Sequence, residues 1–158
     1  MNFLLNKQVI YFSFLFQFAP LVAVEDRLRL ESADILENKL IENESVKFIS
    51  KNVVFRKGSL TLYCDEGRHF EKKALAILYN NVSAIQNDRT LTCDTIKFFS
   101  KKNQLISIGN ARVWDKNYDL MADSIIVFTT KDSGVAIGNV TLVQKGQIIT
   151  ANRIEYQK

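Results

Sequence analysis

Three aspartates stand at equal spacing, Asp65, Asp94 and Asp123, each following a small residue, Cys64, Cys93 or Ala122. Carboxylates in such a series could act as an acid–base pair or as ligands for a hard cation. The fourth copy of the position is Asn152, after Ala151, and the change to an amide favours a structural role at a corner, where Asp and Asn both satisfy turning backbone. His69 is the single histidine, and no motif sets a Ser or Cys beside a base, so nucleophilic catalysis has no footing. One His and two Cys are too few for a zinc site, and the six Gly are scattered and form no phosphate-binding loop. The expectation is a protein that is not an enzyme, with no metal and no cofactor. The sequons at Asn43, Asn81 and Asn139 are read as coincidence, since two of them belong to a recurring motif.

That motif has a period of 29 residues. Leu62, Leu91, Leu120 and Ile149 open the stretches LYCDEG, LTCDTI, LMADSI and ITANRI. Asn52-Val53, Asn81-Val82, Asn110-Ala111 and Asn139-Val140 keep the same step, and Gly109 and Gly138 precede the last two Asn. An incomplete first copy, LRLESADIL, begins at Leu28 slightly out of step. Two independent sets of positions at one period mark a stacked repeat architecture.

The elements that carry these residues are strands. Alternation of apolar and polar residues at period 2, with β-branched and aromatic enrichment, fits half-buried strands. Three apolar columns follow from the repeat: Phe48, Ile77, Ile106 and Val135; then Val53, Val82, Ala111 and Val140; then Phe55, Ala84, Val113 and Leu142. Turn chemistry recurs twice per repeat, at Lys57-Gly58-Ser59, Gln86-Asn87-Asp88, Asp115-Lys116-Asn117 and Gln144-Lys145-Gly146, and at Asn43-Glu44, Lys72-Lys73, Lys101-Lys102-Asn103 and Lys131-Asp132-Ser133. Each repeat is therefore a pair of antiparallel strands of roughly ten to twelve residues, long enough to bend. Leu91 and Cys93 share one parity while Ile96 and Phe98 have the other, which predicts a bulge or corner after the small residue. The Asn series marks the matching corner in the other strand. Stacking of such bent pairs encloses an apolar interior, read either as a sealed core or as a trough.

The first residues stand apart. MNFLLNKQVIYFSFLFQFAPLVAV holds one charge, Lys7, and charged residues begin together at Glu25, Asp26 and Arg27. A basic residue, a short apolar run and a small residue before a charged stretch form the secretory pattern, here with cleavage after Ala23. The organisation expected is a signal peptide over 1–23 and one domain over 24–158, with an uncleaved membrane anchor as the alternative. The mature part would carry 20 basic and 17 acidic residues, a net charge of +3, too mild and too evenly spread for nucleic acid. Export brings an oxidising compartment. Cys64 and Cys93 occupy equivalent slots in consecutive units, and adjacent units would bring their Cα atoms to roughly 5 Å, so a disulfide stands beside the plain reading of two small buried residues.

The repeats IGNARV … DLMADSIIVF and IGNVTL … QIITANRIEY resemble those of the OstA-like family of LptA-type periplasmic lipopolysaccharide transport proteins, over roughly residues 28–156. The resemblance implies an all-β jellyroll of bent, stacked antiparallel strands, open at both ends, that holds lipid A acyl chains inside and passes lipopolysaccharide from inner to outer membrane. On that reading the lipid-binding residues are Phe48, Val53, Phe55, Leu62, Ile77, Val82, Leu91, Ile106, Val113, Leu120, Val135, Val140 and Ile149. The implied partners are lipopolysaccharide, LptC-like and LptD-like proteins of the same fold, and further copies of the chain joined head to tail. The alternatives are an exported structural module for outer-membrane assembly that binds no lipid, and a membrane-anchored LptC-like component.

Overall fold

The computed structural model describes residues 27–131 and 133–157, so the expected signal peptide lies outside the described residues. Ten strands follow one another: β1 Arg29–Ser32, β2 Ile35–Ile41, β3 Glu44–Lys57, β4 Leu60–Phe70, β5 Leu75–Gln86, β6 Arg89–Phe99, β7 Gln104–Trp114, β8 Tyr118–Phe128, β9 Ser133–Gln144 and β10 Gln147–Gln157. Every pairing is antiparallel and joins neighbours along the chain, except that β1 and β2 share β3 between them. The sheet does not close. The fold class is that read from the repeats: all-β, with two long strands in each unit of 29 residues. The turns fall on the clusters of turn-forming residues. Lys145 (φ 50°) and Gly146 (φ 76°) both adopt the left-handed conformation, as do Glu42 (φ 47°) and Asn43 (φ 62°), which suits two-residue hairpins to the twist of the strands.

Each long strand is interrupted at its middle by one device. Between Tyr79 and Val82 two residues, Asn80 and Asn81, oppose the single Asp94 of β6, and both have positive φ. The same two-against-one bulge occurs at Gly109-Asn110 and at Gly138-Asn139. Across each corner the Asn amide donates to the Asp of the preceding strand: Asn52 to Asp34 at 2.8 Å, Asn81 to Asp65 at 2.5 Å, Asn110 to Asp94 at 3.0 Å and Asn139 to Asp123 at 2.9 Å. The recurring aspartates thus hold corners. The first copy is out of step because Asp34 precedes Asn52 by 18 residues where the later Asp precede their Asn by 16, the β2–β3 hairpin being two residues longer, and Glu31 adds a bulge between Leu30 facing Phe55 and Ser32 facing Val54.

Glycine precedes two of these Asn for a steric reason. At Gly109 and Gly138 φ is +78°, and a Cβ at either would run into the carboxylate of Asp94 or Asp123. Gly109→Ala is therefore expected to cost about 1–3 kcal/mol through backbone strain and displacement of the Asp94 carboxylate. A urea titration checks this, and an unchanged midpoint would contradict the corner assignment.

The corners fold the sheet onto itself. A first half-sheet contains residues such as 44–50, 75–79, 95–99 and 124–128, and a second contains 53–57, 60–64, 82–86 and 111–114. Their inner faces meet in one core, with Phe55, Leu62, Leu78, Ile96, Phe98 and Ile125 at most 2% exposed. The rings of Phe55 in the second half-sheet and His69 in the first stand nearly perpendicular, with centres 5.6 Å apart. Burial there holds His69 below the ordinary imidazole pKa.

Two sequence-based expectations change. In the column Phe48, Ile77, Ile106 and Val135, the first three do not point inward. Through the Asn pair the strand keeps its parity, so Ala76, Leu78, Val82 and Ala84 all face in, and the phase slip is carried by the Asp strand, from Cys93 to Ile96. Ile77 and Ile106 alternate outward and are half-buried, in register with Lys97. Phe48 lies under cations on the outer face, with Lys39 Nζ 4.8 Å and Arg68 Cζ 5.2 Å from its ring centre.

The disulfide is absent as well: Cys64 and Cys93 are both free and buried. The repeating unit is two strands, so equivalent positions in consecutive units are separated by β5 and lie about 10 Å apart, two strand spacings and too far for a disulfide. Burial pushes both thiols up to about 12. At neutral pH neither is expected to react with a thiol reagent in the folded protein, and both react once it is unfolded. Rapid native-state labelling of either would contradict this burial.

Candidate lipid-binding trough

The inner face of the second half-sheet is built from every other residue on each side of the corners. In register these are Phe55, Leu62, Ala84, Leu91, Val113, Leu120, Leu142 and Ile149, with Val53, Val82, Ala111 and Val140 beside the corner. Among the residues expected to hold acyl chains, Val53, Phe55, Leu62, Val82, Leu91, Val113 and Val140 belong to the buried core, and Leu120 packs against it. Ile149 sits on the same inner column but on the edge strand, 46% exposed. Phe48, Ile77 and Ile106 are on the outer face, and Val135 borders the interior only where β9 meets the edge.

The first half-sheet contributes inner residues that the sequence reading left out, Leu78, Ile96, Leu105, Ile125 and Ala136. Ile96 and Phe98 were legible as a parity change, but the residues of β5 and β7 were not, because the left-handed pair hides which parity continues. One polar residue shares this face. Ser107 Oγ donates to the Ile125 carbonyl at 2.9 Å and accepts from the Ile125 N–H at 3.2 Å, so its burial leaves no hydroxyl unsatisfied.

The interior is graded along the stack. Around β3–β6 the large side chains fill it. Toward β7–β10 the halves part around a cavity of about 200 Å³, lined by Val113, Leu120, Ile125, Val127, Leu142 and Ile154. The lateral mouth between the two rows of turns has the same polarity. At the β3 end it is bolted: Lys57 reaches across from the second half-sheet, donating to the Ser100 carbonyl at 2.9 Å and to Asn103 Oδ1 at 2.6 Å, with its ammonium 5.8 Å from the Phe98 ring centre. Asn103 receives it in a left-handed conformation that ends the short 3₁₀ turn Ser100–Lys102. Farther along, a cleft of about 740 Å³ opens between the turns carrying Asp88, Lys116 and Lys145 and the turn at Phe128–Thr130. An apolar interior reached through a wet, mixed-charge cleft can take the apolar end of an amphiphile and leave its polar head in water.

No group of His, Cys, Asp or Glu among the described residues could hold a metal ion. No helix among them is long and apolar enough to cross a membrane.

Comparison with known proteins agrees with this geometry. Residues 25–100 match the family described as OstA-like protein. No curated protein matches in sequence. Among solved structures the chain is similar to the crystal structure of LptH, the LptA-homologous periplasmic component of the lipopolysaccharide transport device of Pseudomonas aeruginosa. That match has a TM-score of 0.63 at 18% identity and covers 81% of this chain and 96% of the other. The OstA-like kinship supports a non-enzymatic protein. Residues 25–100 are thus OstA-like by family match, and the chain shares its fold with LptH.

Proposed function

We propose that this protein is a periplasmic carrier and bridge for lipopolysaccharide, which shelters acyl chains in its interior as the lipid crosses between membranes. The observation that carries the reading is the graded apolar interior, packed and bolted at the β3 end and open from β7 onward. Each methylene taken out of water contributes about 0.8 kcal/mol, so a multi-acyl lipid gains much by sliding from one apolar row to the next. Direction comes from the partners at either end, LptC-like and LptD-like proteins of the same fold, joined edge to edge with further copies of this chain. Export to the periplasm follows from the secretory pattern over residues 1–23.

The tight packing around β3–β6 favours a second reading, an edge-pairing module without lipid. The cavity is below the roughly 300 Å³ at the lower end of ligand pockets, so the carrier must part its half-sheets further when loaded. Titration of the purified protein with lipopolysaccharide below its aggregation threshold, followed by calorimetry, separates the two. The carrier binds with the negative heat-capacity change of apolar burial. No binding by a folded protein would leave the lipid-free module.

A further inference from the structure

The corner ladder sets a strict alternation across the sheet. Asp corners, at Asp34, Asp65, Asp94 and Asp123, alternate with Asn corners, at Asn52, Asn81, Asn110 and Asn139, and each Asn donates to the Asp of the strand before it. β10 is the next strand of the Asp type, and there the residue is Asn152. Among the described residues no strand lies beyond β10, and β1 and β2 bound the sheet on the other side. Both boundaries are therefore Asp-type strands. Both run opposite to the odd-numbered strands from β3 to β9, so continuing the stack from one molecule to the next sets β10 parallel to β1 and β2.

Inside the sheet two Asp corners never adjoin. At such a joint they would, and an Asp at position 152 would face the Asp34 carboxylate of the next molecule. Like charges so placed are a strong repulsive element. An amide removes one of the charges and supplies two N–H donors. Asp34 can accept one of them, because Asn52 occupies only its Oδ2.

The apolar columns support the same joint. One inner column runs from Leu30 beside Phe55 to Ile149 beside Leu142, and the other from Leu36 beside Ile49 to Ile154 beside Ala136. Leu36 is 50% and Ile149 46% exposed. Setting the β10 edge of one copy against the β1–β2 edge of another places Ile149 next to Leu30 and Ile154 next to Leu36, continuing both columns while main-chain groups pair.

We propose that Asn152 is the residue that fits the β10 edge to a second copy of this chain, donating its side-chain amide to the Asp34 carboxylate across the joint. The inference rests on the edge-to-edge reading above and adds the residue pair that gives it specificity. Sedimentation velocity over a range of concentrations tests it on the wild type, N152D, D34N and the double variant N152D/D34N, with a denaturation curve for each. The amide introduced by D34N keeps an oxygen to accept from Asn52, so the corner survives in the variants. The wild type should associate end to end. N152D should dissociate about tenfold more readily at an unchanged folding midpoint. The double variant, which exchanges carboxylate and amide, should return to within about threefold of the wild type. Association of N152D equal to that of the wild type, or a double variant as weak as N152D, would overturn the Asn152–Asp34 pairing and leave the edge-to-edge reading standing. A wild type that is monomeric at every concentration would overturn that reading and this inference with it.

Discussion

Leu91→Asp is expected to leave the protein unfolded, whereas Ile106→Asp is expected to leave it folded. Leu91 is 4% exposed on the inner column of β6, between Ala84 and Val113. The substitution forfeits about 1.5–3 kcal/mol of apolar burial and sets a carboxyl group where none of its in-register neighbours can pair with it, at a further cost of several kcal/mol. Against a total stability of about 5–15 kcal/mol, the sum removes most or all of the native state. Ile106 is apolar and belongs to the same 29-residue pattern, yet it faces outward from β7 and lies in register with Lys97. Aspartate there meets water and a cation, and the cost should stay below about 1 kcal/mol. Circular dichroism with chemical denaturation reads both. Equal damage from the two would mean that the parity through the Asn pair has been assigned the wrong way.

Leu120→Trp should abolish acyl binding without abolishing the fold. Leu120 is half-buried against the core and lines the cavity of about 200 Å³ that an acyl chain would enter. An indole fills that space. Because the site adjoins open volume instead of the packed β3–β6 region, overpacking should stay near the low end of its usual 1–3 kcal/mol. Affinity for lipopolysaccharide is expected to fall at least about tenfold. Ile137→Trp serves as the control, since Ile137 is 38% exposed and has the outward parity of β9. Equal affinities for the two variants would place the lipid elsewhere.

The fold was legible because the repeat is written in residues whose chemistry is local. Turn residues name their own positions, and the Asp and Asn series mark corners whose hydrogen bonds depend on those side chains alone. What stayed illegible depended on geometry that no single strand encodes. Whether parity survives the left-handed pair at Asn80 and Asn81 is settled by the two-against-one pairing with Asp94, and from β5 alone Ile77 looks as inward as Leu78. The separation of Cys64 and Cys93 depended on counting strands as well as repeats. Lys57 reads as a turn residue, and only the folding of one half-sheet onto the other brings its ammonium to Asn103, 46 residues away. The grading of the interior, closed at β3 and open at β7, likewise comes from differences in side-chain size between units that share one pattern.

The most direct test of the trough is photo-crosslinking of the assembled protein to lipopolysaccharide from single positions carrying a photoreactive side chain. Leu120 and Val113 face the cavity, and Ile106 and Ile137 face away from it on the opposite surface of the sheet. The account predicts lipid adducts from Leu120 and Val113 and none above background from Ile106 and Ile137. Adducts confined to the outer pair, or none from any position in a folded protein incubated with the lipid, would contradict it.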